Sequence, residues 1–335
     1  MDAKDILKQY KYEDFFSSDM SEAKKQYRQY IKKYHPDSDS SDEAQRMFLV
    51  IRTLYESHSF VSQGVCDGGN TVTFRDKNTH KGFSLTNAFS VNNNNCEVYH
   101  TLTKVCIVFN ENRKVFYDNY IKAVNKLSYR DKEMESEFKR YMPKIIKHFQ
   151  NEDDRYVILL DKTSEVLNLG KIVEDYLSLG KQFPEKQAAW ILNRLYNLCA
   201  YFKLQDNSAF NGIALENIWV SPELHSVLLL NGFEYNIKLG EKMAGVPKEV
   251  FNTMSIKTKD SKLSSTLTDL ESVKQVGRRL FANRTDLKHI TDFLNSGTSD
   301  DIFEEWDKYG EAIKKEFGRR EFIIWEDVPY IKKVR

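Results

Sequence analysis

Few residues of this chain have the type and spacing to act on another molecule. His35-Pro36-Asp37 forms a loop tripeptide, and a dense run of cations stands immediately before it. The carboxylate clusters Asp153-Asp154 and Glu133/Glu135/Glu137 sit in polar stretches and read as solvated faces, and the terminal Lys-Lys-Val-Arg is only a short basic tail. Four cysteines, Cys66, Cys96, Cys106 and Cys199, are scattered without a Cys-x-x-Cys pair, so they read as reduced thiols, not disulfides or a zinc site. There is no nucleophile elbow, zinc-ligand series or phosphate-binding P-loop. The chemistry left to expect is protein docking.

The elements that must position these residues follow from periodicity. Ser21 and Glu22 open a helix on which Ala23, Tyr27, Tyr30, Ile31 and Tyr34 recur at three- and four-residue spacing, making one apolar face. Lys24, Lys25, Arg28, Lys32 and Lys33 cover the other faces, and Pro36 stops the helix. A second helix starts near Ser41, with the stripe Ala44, Met47, Phe48, Ile51, Leu54 and Tyr55. Two such helices on a short loop should pack antiparallel and present the tripeptide at the tip.

Together, the basic helix, the His-Pro-Asp loop and the Phe48/Ile51/Tyr55 helix resemble a J-domain, over residues 3–57. That family stimulates the ATPase of Hsp70 chaperones. The resemblance implies Hsp70 contacts through His35, Pro36, Asp37, Lys24, Tyr27 and Arg28, with Lys25, Lys32 and Lys33 adding to the field. Ser38 and Asp39 depart from the Arg-Asn common in the family, and the usual basic fourth helix is missing.

Glycines cluster among polar residues at 64, 68, 69 and 82, which places a linker over 61–82. Beyond it the pattern runs strands first (Phe83–Val91, Cys96–Leu102, Lys104–Asn110, Tyr156–Asp161), with helices at Arg113–Lys126 and Met134–Phe138. A long helix over Glu185–Lys203 follows, and the rest is mostly helical. This order resembles a protein kinase, and the chain is similar to bacterial and phage fusions of a J-domain to a kinase-like domain. Phe210 to Trp219 stands at the place of the catalytic loop, Leu230-Asn231-Gly232-Phe233 at that of the metal-binding Asp-Phe-Gly segment, and Asp269 suits the F helix. The implied fold class is multidomain: an all-α J-domain at 1–60, then an α+β two-lobed kinase-like domain at 83–335, with the sheet lobe about 83–161 and the helical lobe about 162–335.

The resemblance also says where phosphoryl transfer would need its parts. No glycine occurs between Gly82 and Gly170, so the sheet lobe cannot build a Gly-rich phosphate loop. Aligned by the resemblance, Val108 takes the slot of the phosphate-binding Lys and Lys122 that of its Glu partner. Phe210 replaces the catalytic-loop His, Gly212 the catalytic Asp, and Asn231 the metal-binding Asp. Asn217 alone is retained. The expectation is therefore a pseudokinase: no enzyme, no catalytic or metal residues, no cofactor. Its function would be that of a cytoplasmic cochaperone, binding a DnaK-type Hsp70 through the J-domain and an unknown client through the kinase-like part. A divergent active Ser/Thr-type kinase and a structural scaffold are the alternatives. The formal net charge of +1 argues against nucleic acid as a partner, and no apolar run approaches the roughly 20 residues that span a bilayer.

Overall fold

The structure, a computed structural model, describes residues 9–17, 19–35, 38–39, 41–62, 71–85, 89–92, 95–163, 165–222, 225–318, 325 and 328. The chain divides into two compact units, the first built on the N-terminal helices and the second on Gly68–Ser221 and His225–Gly318.

The first unit is a helical hairpin. Helix α1 (Met20–Tyr34) begins at Asp19, whose carboxylate accepts from the Glu22 N–H at 2.9 Å, so the cap lies two residues before the expected Ser21. Helix α2 (Asp42–Ser62) begins at Ser41, whose Oγ accepts from the Ala44 N–H at 3.2 Å, and it runs five residues past the end of the expected J-like segment. The spacing of Ala23, Tyr27 and Ile31 puts them on one face, where they pack with Phe48, Ile51 and Tyr55 and with Tyr12 and Phe16 from the preceding turn. Tyr27 stacks on Tyr55 at 3.9 Å and His35 meets Phe48 edge-on at 5.5 Å. As one helix advances the other retreats, so the two are antiparallel.

The second unit starts inside the stretch expected to be linker. Strand β1 (Val72–Arg75) pairs antiparallel with β2 (Gly82–Leu85), which corrects the 61–82 linker and the single strand expected from Phe83 to Val91. The Asp76 carboxylate accepts from the Asn78 and Thr79 N–H groups and shapes the turn between them. A five-stranded antiparallel sheet follows, formed by β3 (Phe89–Asn92), β4 (Cys96–His100), β5 (Lys104–Phe109), β6 (Lys144–Gln150) and β7 (Tyr156–Asp161) in the order β3-β4-β5-β7-β6. One face of β5, Cys106 and Val108, packs with Val157 and Leu159 against Phe74 and Leu85 of the β1–β2 hairpin. Alternation turns Val105, Ile107 and Phe109 to the other face, where helix α3 (Lys114–Asn125) lies and Tyr117 meets Phe109 at 6.3 Å. Helix α4 (Lys132–Phe138) stands in the connection between α3 and β6, capped by Asp131.

The remainder is mostly helical. Strand β8 (Leu167–Asn168) leads into α5 (Leu169–Ser178), and α6 (Glu185–Asp206) forms the lobe's axis, buried at Ile191, Leu192, Leu195 and Leu198. Short strands β9 (Ser208–Ala209), β10 (Ile218–Ser221), β11 (Ser226–Leu229) and β12 (Ile237–Lys238) frame two loops; β10 pairs with β11 and β8, and β12 with β9. Helices α7 (Lys248–Thr253), α8 (Ile256–Ser261), α9 (Thr266–Leu280), α10 (Lys288–Asn295) and α11 (Ile302–Phe317) complete it. Lys274 of α9 and Glu305 of α11 form a fully buried ion pair at 2.7 Å. Among the described residues no helix is long and apolar enough to cross a membrane.

Candidate functional site

The loops framed by the short strands meet at one place. Asp269, one turn into α9, is buried, and its carboxylate accepts from the Phe210 and Asn211 N–H groups, both at 2.7 Å. Burial pushes this carboxyl up to about 7, while the two N–H groups pull the other way. Asn211 adopts a left-handed φ of 54°, and its Nδ2 donates to Ala209 O, Tyr235 O and Ser264 Oγ. The backbone of 209–212 is thereby held from both sides. Phe210 stacks on Phe202 at 5.4 Å and meets Phe233 at 5.2 Å, and Phe233 in turn meets Tyr120 of α3 at 5.9 Å. Tyr120 donates its hydroxyl to Leu230 O, and Asn119 donates to Glu234 O and Asn236 O. Helix α3 is thus pinned to the 230–236 loop.

Polar side chains fill the space beside this aromatic stack. Asn217 Nδ2 donates to Gly212 O at 2.8 Å, and Asn231 Nδ2 donates to Asn217 Oδ1. Trp219 Nε1 donates to Asn231 Oδ1 at 2.6 Å. Gly212 and Gly232 face each other: a Cβ on Gly212 would lie 2.9 Å from Gly232 O, and one on Gly232 would lie 2.8 Å from the Phe210 ring. Two carboxylates stand nearby. Glu234 is buried, accepting from Gly232 N–H at 2.9 Å and from Cys96 Sγ at 3.9 Å, and burial pushes it up to about 7. Glu216, half-buried beside Asn217, is likewise raised to about 7 by burial.

No protein-family model matches the sequence, and no curated protein matches it. Solved structures do. The chain is similar to the BubR1 kinase domain at 10% identity, covering 85% of this chain and 94% of that one with a TM-score of 0.51. It also matches vaccinia related kinase 3 (14% identity, 84% and 92% covered, TM-score 0.45). A third match is the Cydia pomonella granulovirus kinase PK-1 (14% identity, 69% and 93% covered, TM-score 0.49). The fold is protein-kinase-like. The expectation that the chain is no enzyme is corrected by this likeness, because the fold it shares is that of protein kinases.

In this kinase-like frame the structure rearranges several sequence-based assignments. Phe210, Gly212, Asn217 and Asn231 do converge. Val108 does not belong with them: it faces the β1–β2 hairpin, and the residues of β5 turned toward α3 are Val105, Ile107 and Phe109. Lys122 is exposed, and Tyr120 is the α3 residue that reaches the 230–236 loop. The aromatic of the Asp-Phe-Gly segment packs in the core; here that residue is Phe233, so the acid's position falls on Gly232 and not on Asn231. Glu216 and Glu234 were missed as candidates. Glu234 follows an apolar run with no spacing to mark it, and only its enclosure distinguishes it.

The metal and phosphate parts of a kinase do not fit these residues. Gly212 and Gly232 offer no carboxylate, and the Asn217 and Asn231 oxygens accept from Asn231 and Trp219. Among the described residues no three His, Cys, Asp or Glu side chains converge as a metal site. Lys104 pairs with Asp161 at 2.6 Å at the start of β5, and Lys162 donates to Leu102 O and Val166 O, burial lowering its pKa to about 7.

The residues expected to dock a partner fall in the first unit. Lys25, Lys32 and Lys33 are exposed, Lys25 paired with Glu22 at 3.3 Å, and Arg28 is half-buried. Tyr27 and His35 are corrections to the expected contact set: at 1% and 3% exposure they are core residues, held by Tyr55 and Phe48. Pro36, Asp37 and the Lys24 side chain lie outside the described residues. Asp39, one of the departures from the J-domain pattern, accepts from the Ser41 N–H at 2.9 Å and shapes the entry to α2.

Proposed function

We propose that the chain is a divergent protein kinase in which Glu216 takes the proton of the acceptor hydroxyl. The loop 210–217 carries this reading: Asp269 holds its backbone, and Glu216 sits beside Asn217 with its carboxyl raised to about 7. A general base works best with a pKa near the operating pH. Glu249 raises Glu216, and Arg279, 3.4 Å from Glu249, lowers it. In the step, the acceptor O–H gives its proton to the Glu216 carboxylate. The acceptor oxygen bonds to the terminal phosphorus of a nucleoside triphosphate, and the diphosphate leaves. Positioning and charge stabilisation, more than covalent help, drive such a transfer. The test is label transfer from γ-labelled ATP to the chain itself and to a mixed protein substrate. Transfer should rise with pH through about 7 and fall about a hundredfold in Glu216→Gln. Absence of transfer together with no thermal shift on adding ATP overturns the reading.

We also propose that the N-terminal hairpin is a J-like docking module that recruits a DnaK-type Hsp70 to a client held by the kinase-like part. The antiparallel pairing of α1 and α2 supports it, with Lys25, Lys32 and Lys33 exposed on one helix. Tethering of this kind raises local concentration without new contacts at the client. ATP turnover by purified Hsp70 should increase in the presence of the chain and lose that increase in Lys32→Glu/Lys33→Glu, whose side chains are exposed. Equal stimulation by the wild type and this variant, or none by the wild type, counts against the module.

A further inference from the structure

The connection between α3 and β6 builds a groove that neither reading uses. It encloses about 1110 Å³ between the C-terminal end of α3, helix α4 and the start of β6. Val124, Leu127, Met142 and Pro143 line it with aliphatic surface. Charged residues share the lining: the cations Lys132, Lys139, Arg140 and Lys144 against the acids Asp131 and Glu135. Both acids are already engaged. Asp131 accepts from the Met134 N–H at 2.8 Å and pairs with Arg130 at 2.8 Å, and Glu135 pairs with Lys139 at 2.8 Å. Lys144 is 78% exposed and shares Asp161 with Lys104, which holds the shorter contact, 2.6 Å against 3.3 Å. Arg140 pairs with Glu137 at 2.9 Å and Lys139 with Glu135, so Lys132 and Lys144 supply the groove's positive charge, around an apolar surface that includes the Tyr129 ring.

We propose that this groove binds an acidic peptide segment of a partner protein, one that seats aliphatic side chains between α3 and α4. Charge complementarity selects the class. Carboxylates would meet Lys132 and Lys144, while Val124 and Leu127 would take the apolar anchors beside the Tyr129 ring. A concave, mostly apolar site with a few placed charges is the usual form of a specific pocket. The site lies on the connection between α3 and β6, away from Glu216 in sequence, and does not depend on the phosphotransferase reading.

The full chain, immobilised, is panned against a displayed library of random peptides. Enriched sequences are then synthesised and titrated against wild type and Lys132→Glu/Lys144→Glu. The expected result is enrichment of Asp and Glu alongside Leu, Ile or Val, with affinity at least about tenfold weaker for the charge-reversed protein. A second variant, Leu127→Ser, should weaken the same peptides without changing their preference for acidic residues. Thermal unfolding of each variant checks that it is folded. The proposal fails if no peptide is enriched, if enriched peptides lack acidic residues, if both charge states bind equally, or if a single-stranded oligonucleotide displaces the peptide from the same lysines.

Discussion

Gly212 and Gly232 decide more of this site's geometry than any charged residue. Each lies where a side chain would strike its neighbour, and Gly232 also holds φ at +96°, a region that disfavours a Cβ. Gly212→Ala should cost about 1–3 kcal/mol through overpacking against Gly232 O. Gly232→Ala should cost about 1 kcal/mol more, since it adds backbone strain to contact with the Phe210 ring. Urea unfolding midpoints of the two variants check the order. The glycine at 212 was legible as a missing acid, because the residues around it align with a known loop. The one at 232 was not, because the choice between Asn231 and Gly232 rests on which residue precedes the packed aromatic, and Phe233 declares itself only by meeting Phe210 and Tyr120 edge-on.

At the scale of elements, the hairpin of α1 and α2 was readable because each helix shows a single apolar face. Strand β5 was not. Val105 to Phe109 is apolar at every position and buried on both faces, so period-two alternation carries no signal about which side meets α3. Its sheet neighbours supply the answer, with Cys106 and Val108 under the β1–β2 hairpin. Within the helical lobe, Lys274 of α9 pairs with Glu305 of α11, donates to Ser296 O, Ser296 Oγ and Gly297 O, and lies over the Phe293 ring. Lys274→Met should lower stability by about 3–5 kcal/mol, because it strands the Glu305 carboxylate. Lys274→Met/Glu305→Leu should recover much of that loss. Chemical denaturation of the single and double variants measures the difference, and an equal loss in both would argue that packing, not the unpaired charge, is the cause.

For the whole molecule, stability carries a pH signature from its buried ionisable groups. Glu234 titrates at about 7 when folded and near 4.3 when unfolded. Between those values the folded state binds more protons, so this group's contribution is full in acid and lost as pH rises toward 7. His100, lowered to about 3 by burial, works in the opposite sense up to about 6.5, so the wild-type profile alone would mix the two. The difference between wild type and Glu234→Gln isolates the carboxyl. The wild type should gain about 3 kcal/mol relative to the variant between pH 7.5 and 4.5, read from urea midpoints at both values, and a constant difference would place Glu234 in a more solvated setting. By itself, the amino-acid order determined the helical hairpin and the passage from strands to helices, both of which are matters of local spacing and composition. Only the tertiary structure decided that Tyr27 and His35 are core residues, that Tyr120 and Phe233 form the link from α3 to the loop held by Asp269, and that Glu216 and Glu234 are raised toward neutrality. Burial and the direction a side chain faces depend on partners far along the chain, and no local pattern encodes them.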